Sequence, residues 1–488
     1  MKKMNLLVMS LVSAAALSFT SCSDSEDLAG NNQNKVDKFY MTLTVQTPTS
    51  NGTRTAVKDK DKVYPTEAAT SAESDVTSGT FYLVDANNKI VFTYPISKEE
   101  WAEKKYPTQG TNGKTTLQVP VTNVTAGTKY SVYFLANATS ESPLTDVFTS
   151  DLANKFAKAY STDNNFAMFN QNDADVKGNS HTVVFTSDNK DANSAAKVSS
   201  TINIERLTAR IDEPKSAASA IKPYAVDATA SDEEKKANAD AVKAVKGVTL
   251  TKYAISNVAK KTNVMQQWAN ATTLSIPTGI TYFQPTTEFG TKTLLQNYTY
   301  FNAVTTEEGK EKLKDYVFEN NSSDAATSMY FEYTVELNDE YKNKADINDG
   351  TFYRYNKVIY SKIQDIIDAY QDQKAIFDGK DAQTVVDELK AAKADPDSEA
   401  KLDEFRKKYD IEVFNAGKTY YVQKIKDQYL GVENTIQRNS IYLLNVKNIF
   451  NVGAQVPNGG PDDRTLYYLD VEVSVNPWVL NEQSVEFE

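Results

Sequence analysis

Leu469-Asp470-Val471-Glu472-Val473-Ser474-Val475-Asn476 alternates apolar and polar residues without a slip. Period two is the pattern of a half-buried β-strand, because successive side chains of a strand point to opposite faces. Leu469, Val471, Val473 and Val475 are expected on one face, and Asp470, Glu472, Ser474 and Asn476 on the other. Pro477 is expected to stop the ladder, since proline has no N–H to donate, and Trp478 follows it. Alternation resumes at Val485 and Phe487. Chain ends are usually polar and frayed, so an apolar, strand-prone end needs something to hold it. Two readings stay open at this point: an ordinary last strand of the chain's own sheet, or a strand meant for another molecule's sheet.

Composition narrows the rest. A chain of 488 residues has room for two or three domains. Its 28 Tyr and 21 Phe exclude a disordered chain and favour strands. A net charge of −12 argues against a nucleic-acid partner. Cys22 is the only cysteine, so no intramolecular disulfide forms and an exported fold must be held by its core. His181 is the only histidine, which leaves little material for a Ser–His–Asp triad, a Cys/His zinc site or a haem ligand pair. It opens the strand-like run Thr182–Thr186 and is expected to be structural. No catalytic residue, metal or cofactor is expected, and the chain reads as not an enzyme.

Working back to the other end, Lys2 and Lys3 precede an apolar run, Leu6 to Leu17, too short to span a bilayer. Phe19-Thr20-Ser21-Cys22 resembles a lipobox, which makes Cys22 the expected lipidation site; Phe19 departs from the aliphatic residue usual there. The acidic run Ser23-Asp24-Ser25-Glu26-Asp27 resembles a surface-export signal of Bacteroidota lipoproteins. A polar tether follows. Then Phe39-Tyr40-Met41-Thr42-Leu43-Thr44-Val45 predicts a short strand with Phe39, Met41, Leu43 and Val45 on one face. Thr49 to Thr55 is a small polar loop holding Arg54, the only arginine before Arg206. A trypsin-like protease would find one isolated site there, between Arg54 and Thr55.

Between the ends, Thr80–Val84 and Ile90–Tyr94 predict a hairpin turned by Asp85 to Lys89. Leu117–Val121, Tyr130–Ala136 and Val198–Ile211 predict strands, with Ala126-Gly127 as a turn and Ser150 to Met168 helical or irregular. From Pro214 to Gly247 the composition shifts to Ala, Lys and Asp; Ser231 and Glu234 look like a helix N-cap and its partner. Val248–Ile255, Met329–Glu336, Ile411–Phe414, Thr419–Ile425 and Ser440–Val452 predict further strands. Val358–Tyr370 reads as a helix, as do the runs marked by Val385, Val386 and Leu389 and by Leu402, Phe405 and Tyr409.

Taken in order, these pieces resemble the fimbrillins of Bacteroidota, the lipoprotein pilins of type V pili, most closely the minor-fimbria shaft subunits. The resemblance is carried by Cys22, the short strand and the Arg54 loop; by Glu205-Arg206 and Ala209-Arg210; by Tyr420-Tyr421, Arg438-Asn439, Tyr442, Gly453 and Pro457; and by the terminal strand ending Asn476-Pro477-Trp478. The helical insert from about Ala382 to Lys408 is longer than the family suggests. The resemblance implies a mainly β fold of two transthyretin-like β-sandwich domains with a few helical insertions in the second. On that reading residues 1–21 are the signal peptide and 22–54 the tether and removable first strand. Residues 55–213 are the N-terminal domain, 214–246 an inter-domain insert, and 247–488 the C-terminal domain with its donor segment. It also implies a mechanism. An outer-membrane precursor carrying palmitate on Cys22 is cut by an Arg-specific or trypsin-like protease between Arg54 and Thr55. It then polymerises head to tail by strand exchange into a surface fimbrium that supports adhesion and biofilm formation. The implied partners are other copies or related fimbrial subunits, lipoprotein processing enzymes, and host or bacterial receptors. The donor and docking residues would come from Leu469, Val471, Val473, Val475, Trp478, Val485 and Phe487. The alternative is a non-polymerising surface adhesin or glycan-binding lipoprotein of the same fold that keeps residues 22–54. Trp101 or Trp268 could then serve a sugar face, although core packing is the more ordinary use of each.

Overall fold

The alternation at Phe39–Gln46 becomes a strand, β1, whose residues are buried and half-buried in strict turn. The computed structural model describes residues 37–47, 67–104, 114–138, 144–147, 151–153, 161–162, 165–172, 181–225, 228–270, 273–283, 301–371, 376–425, 427, 434–457 and 469–479. After β1 come Glu67–Ala68 (β2), Gly79–Val84 (β3), Ile90–Ile96 (β4), Lys114–Val121 (β5) and Lys129–Ala136 (β6). Met168–Asn170 (β7), Thr182–Val184 (β8), Ala196–Lys197 (β9), Ile202–Arg206 (β10) and Ala209–Asp212 (β11) follow. Lys314–Val317 (β12), Ser440–Ile449 (β13) and Leu469–Val479 (β14) complete the strands that bear on function.

Two sheets dominate the site. The first runs β9-β1-β10-β7-β6-β3-β4, with β5 also on β1 and β8 also on β6. The second runs β2-β14-β13-β11-β12, with Lys215–Ser216 also on β13. A third sheet has the order Asn302–Ala303, Val245–Ser256, Ser328–Leu337, Lys418–Lys424. The expected mainly β architecture is what the structure shows, with helices inserted between strands. Residues 37–488 form one compact unit.

Local chemistry explains the elements. The β3–β4 hairpin forms because the Asp85 carboxylate accepts from the N–H groups of Asn87 (2.8 Å) and Lys89 (2.9 Å), while Asn88 supplies a positive φ of 62°. The helix Asp232–Ala244 starts at Ser231, whose Oγ accepts from the Glu234 N–H, with Glu234 reaching back in return, as its sequence anticipates. Helices Ala382–Ala394 and Ser398–Tyr409 bury Val385, Val386 and Leu389 and Leu402, Phe405 and Tyr409, the residues whose spacing predicts them. They share a core with Tyr353, Ile363 and Val413.

Four expectations change. Val358–Tyr370 is not one helix: Asn356 and Lys357 both take positive φ (46° and 68°), which folds Val358–Tyr360 back on Phe352–Tyr355 as a hairpin, and the helix is only Ile363–Ala369. Val198–Ile211 is not one strand: β10 belongs to the first sheet and β11 to the second. Between them the Leu207 N–H donates to the Ala167 carbonyl and the Thr208 carbonyl accepts from Asn439. Between Ser150 and Met168 the described residues form the short strands Asp151–Ala153, Ser161–Thr162 and Asn165–Phe166. Pro477 does not end β14, which runs on to Val479. It takes the last rung with β13, opposite Ser440, and the next two residues pair with β2 instead.

Candidate assembly site

β1 is paired on both edges. One edge makes eight antiparallel rungs with β5, from Phe39 opposite Val121 to Gln46 opposite Lys114. The other meets β9 at Met41 and Thr42 and β10 at Val45 and Gln46, both parallel. The Val198 N–H also donates to the Thr42 carbonyl at 3.0 Å. Phe39, Met41, Leu43 and Val45 are at most 2% exposed and share a core with Leu117, Val119, Val121, Val132, Phe134, Ile202 and Ile204. The opposite residues, Tyr40, Thr42, Thr44 and Gln46, are half-buried. Near the start of the strand, Lys190 pairs with Asp37 (2.9 Å) and sits over the Phe39 ring. Every strand that pairs with β1 lies well downstream, so its departure would break no hairpin. It would open a slot between β5 and β9/β10 with an apolar floor and two rows of unpaired backbone groups, a costly surface in water.

The segment from β2 to β3 is fixed by two polar nodes. In the turn of helix Ser71–Ser74, Glu73 is buried with 3% of its side chain exposed. Its carboxylate accepts from the Arg210 guanidinium (3.1 Å), the Tyr316 hydroxyl (3.2 Å) and the Thr70 N–H (2.9 Å), with the Lys314 ammonium at 3.8 Å. Arg210 is held in turn by Asp212 at 2.7 and 3.0 Å. The Glu73 carbonyl accepts from Arg206 Nε (2.8 Å), and Arg206 Nη1 continues to Asn439 Oδ1 (2.9 Å). Burial pushes the Glu73 carboxyl up, but the Thr70 N–H and the cations of Arg210, Lys314 and Arg206 outweigh it and hold it below its ordinary value. Asn137 forms the second node: it accepts from the Thr77 N–H (3.0 Å) and donates to the carbonyls of Asp75 (2.8 Å) and Phe166 (2.9 Å).

β14 is paired inside its own chain. Leu469, Val471, Val473 and Val475 lie opposite Ile449, Val446, Leu444 and Tyr442 of β13, and those four partners are fully buried. Trp478 and Val479 pair in parallel with Glu67 and Ala68. Cys22, Arg54, Thr55, Val485 and Phe487 lie outside the described residues.

Several of the residues that carry the resemblance make buried polar or close contacts. Arg206 meets Asn439, as above. Arg438, fully buried, pairs with Glu319 (2.9 Å) and donates to the carbonyls of Val264 (2.9 Å) and Asn263 (2.7 Å). The Tyr442 hydroxyl donates to Asp427 (3.1 Å) and accepts from the Gln437 N–H (2.8 Å). Gly453 lies against Tyr420 and Tyr421, where an added Cβ would clash with the Tyr420 carbonyl oxygen and the Tyr421 ring. Of the tryptophans considered for a sugar face, Trp101 is buried against Phe134, whereas Trp268 is half-buried, its indole donating to Gln266 (3.0 Å). His181 is buried with Nδ1 2.8 Å from Ser200 Oγ. Glu73, Tyr316 and Asn137 have no counterpart among the sequence-derived sites, since an isolated acid, tyrosine or asparagine carries no pattern.

Strand pairing is what this arrangement provides for, within a multi-sheet β protein. Residues 412–484 match the family model "Major fimbrial subunit protein type IV, Fimbrillin, C-terminal". The match covers Glu412–Phe414, Lys418–Lys424, β13 and β14, so the resemblance read from the sequence is supported over this stretch, where its motifs are densest. No curated protein matches the sequence. Among solved structures, a Parabacteroides distasonis protein assigned to cell adhesion is similar at 12% identity over 91% of this chain and 98% of that one, with a TM-score of 0.45. The fimbrial anchor protein Mfa2 from Porphyromonas gingivalis is similar at 8% identity over 90% and 99%, with a TM-score of 0.28. A Parabacteroides distasonis fimbrial assembly protein is similar at 11% identity over 62% and 99%, with a TM-score of 0.27. Likeness of that size says nothing about partners.

Proposed function

We propose that this protein is a structural subunit of a surface fimbria, made as a lipoprotein and assembled by strand exchange. The observation that supports it best is β1: a strand near the N-terminus, buried on one face, paired on both edges, and followed in the sequence by Arg54. Cys22 carries the lipid, and a protease cuts between Arg54 and Thr55. β1 then leaves, and an alternating apolar segment from the C-terminus of the next subunit fills the slot beside Leu117, Val119 and Val121. Val485 and Phe487 dock there, while Leu469, Val471, Val473 and Val475 serve the subunit's own second sheet. The interface is heterologous and does not close, so a filament grows. In this reading residues 55–213 and 247–488 are transthyretin-like sandwich domains and residues 214–246 the insert between them. The chain has no catalytic task, and adhesion and biofilm formation follow from the filament.

The experiment is N-terminal sequencing of surface-extracted protein beside a boiling-resistant ladder gel. Thr55 as first residue together with a ladder supports strand exchange. A chain that still starts at Cys22 and runs as a monomer favours the adhesin alternative.

A further inference from the structure

Downstream of the proposed cut, the described chain begins at Glu67. From Glu67 to Ser78 it is a strap that runs from the edge of the second sheet into β3 of the first. At its start, Glu67 and Ala68 pair with Trp478 and Val479, the last two residues of β14. Five residues on, Glu73 is buried and grips β11 through Arg210 and β12 through Tyr316 and Lys314, while its carbonyl takes Arg206 from β10. At its end, Thr77 and Asp75 are tied to Asn137. The strap therefore joins both sheets, and its Glu67–Ala68 end covers the far end of the terminal strand.

We propose that Glu73 is a latch that keeps this strap on β14, and so fixes Val479 as the point where the terminal segment leaves the subunit. This rests on the strand-exchange reading for its use: loss of residues before Thr55 would then leave the second sheet untouched, and only residues 480–488 would be free to reach a neighbour. The geometry favours it because β14 without β2 would show an open edge at Trp478–Val479, where Pro477 has already ended pairing with β13. A buried carboxylate with four partners, from two strands and its own turn, is hard to displace, since each lost partner leaves a desolvated group unpaired.

The test is hydrogen exchange by mass spectrometry on the full chain, comparing wild type, Glu73→Gln and Tyr316→Phe. Tyr316→Phe removes one hydrogen bond and no charge, so it keeps the test valid where Glu73→Gln fails to fold. The expected result is joint, roughly tenfold or greater acceleration at 67–70 and at Trp478–Val479 in at least one folded variant, with β3 unchanged. Unchanged exchange overturns the latch. So does acceleration at 67–70 with none at Trp478–Val479. Global acceleration in Glu73→Gln with a silent Tyr316→Phe also overturns it, because Glu73 would then support the whole fold. The two readings fail separately: coupled exchange in a chain that never forms a ladder would sink strand exchange and leave the latch in place.

Discussion

Leu43→Ala is the perturbation that best separates a removable first strand from a permanent one. Leu43 is 2% exposed and lies opposite Leu117 in the β1–β5 ladder. Truncating a buried leucine costs about 2–5 kcal/mol, depending on how far the cavity collapses. Thr42, on the half-buried outer face, should cost under about 1 kcal/mol when changed to Ala. Burial of all four inward residues contributes roughly 6–12 kcal/mol at about 1.5–3 kcal/mol each, an upper bound because unfolded chains are partly collapsed. Whole domains are stable by about 5–15 kcal/mol, so a subunit that loses β1 with nothing in its place should be close to unfolding. The assay is urea denaturation of the unlipidated precursor, Cys22→Ala, before and after trimming at Arg54. Leu43→Ala should weaken the precursor, and the trimmed wild type and trimmed variant should then behave identically. A peptide spanning Phe39–Gln46 should restore stability to both. The reasoning fails if trimming leaves stability unchanged, if the Leu43→Ala deficit survives trimming, or if Leu43→Ala is harmless in the precursor.

Further expectations can be checked singly. Because the Glu73 carboxyl is held below its ordinary 4.5, its stabilisation is complete above that value and fades as pH falls through the lowered one. The stability gap between wild type and Glu73→Gln, from urea midpoints, should thus be constant above about pH 5 and close at lower pH. Gly453→Ala drives a Cβ into the Tyr420 carbonyl and the Tyr421 ring, and should cost about 1–3 kcal/mol or more in thermal melting. A fatty-acid analogue should label wild type and spare Cys22→Ala; equal labelling would remove the lipid anchor from the account. Deleting residues 480–488 should leave melting unchanged yet abolish the ladder, and filaments from the truncated chain would place the donor elsewhere.

The sequence patterns that proved readable were local and periodic. The four inward residues of β1, the Ser231–Glu234 cap and both helices of the insert follow from spacing alone, because one face of each element meets a core. What was not readable depended on partners far away. The two-sheet split of Val198–Ile211 is set by Ala167 and Asn439, and the extension of β14 past Pro477 by a two-residue strand some four hundred positions upstream. The hairpin at Asn356-Lys357 was missed because a lysine at positive φ is rare, so isoleucines at near-helical spacing outweighed the turn. At the site, β1 was legible as a strand, but its parallel partners β9 and β10 were not. Glu73 became visible only when the fold set Arg210, Tyr316 and Lys314 around it.

The central claim, that one subunit's tail fills another's β1 slot, is tested most directly by photocrosslinking from position 487. A benzophenone amino acid in place of Phe487 conserves the aromatic side chain, and mixing isotopically light and heavy subunits during assembly separates contacts within a chain from contacts between chains. Strand exchange predicts crosslinks from mature fimbriae to peptides containing Leu117–Val121 or Ile202–Arg206 of a different chain, and none in the uncut precursor, where β1 still occupies the slot. Crosslinks confined to the same chain, or between chains but away from β5 and β10, would contradict it.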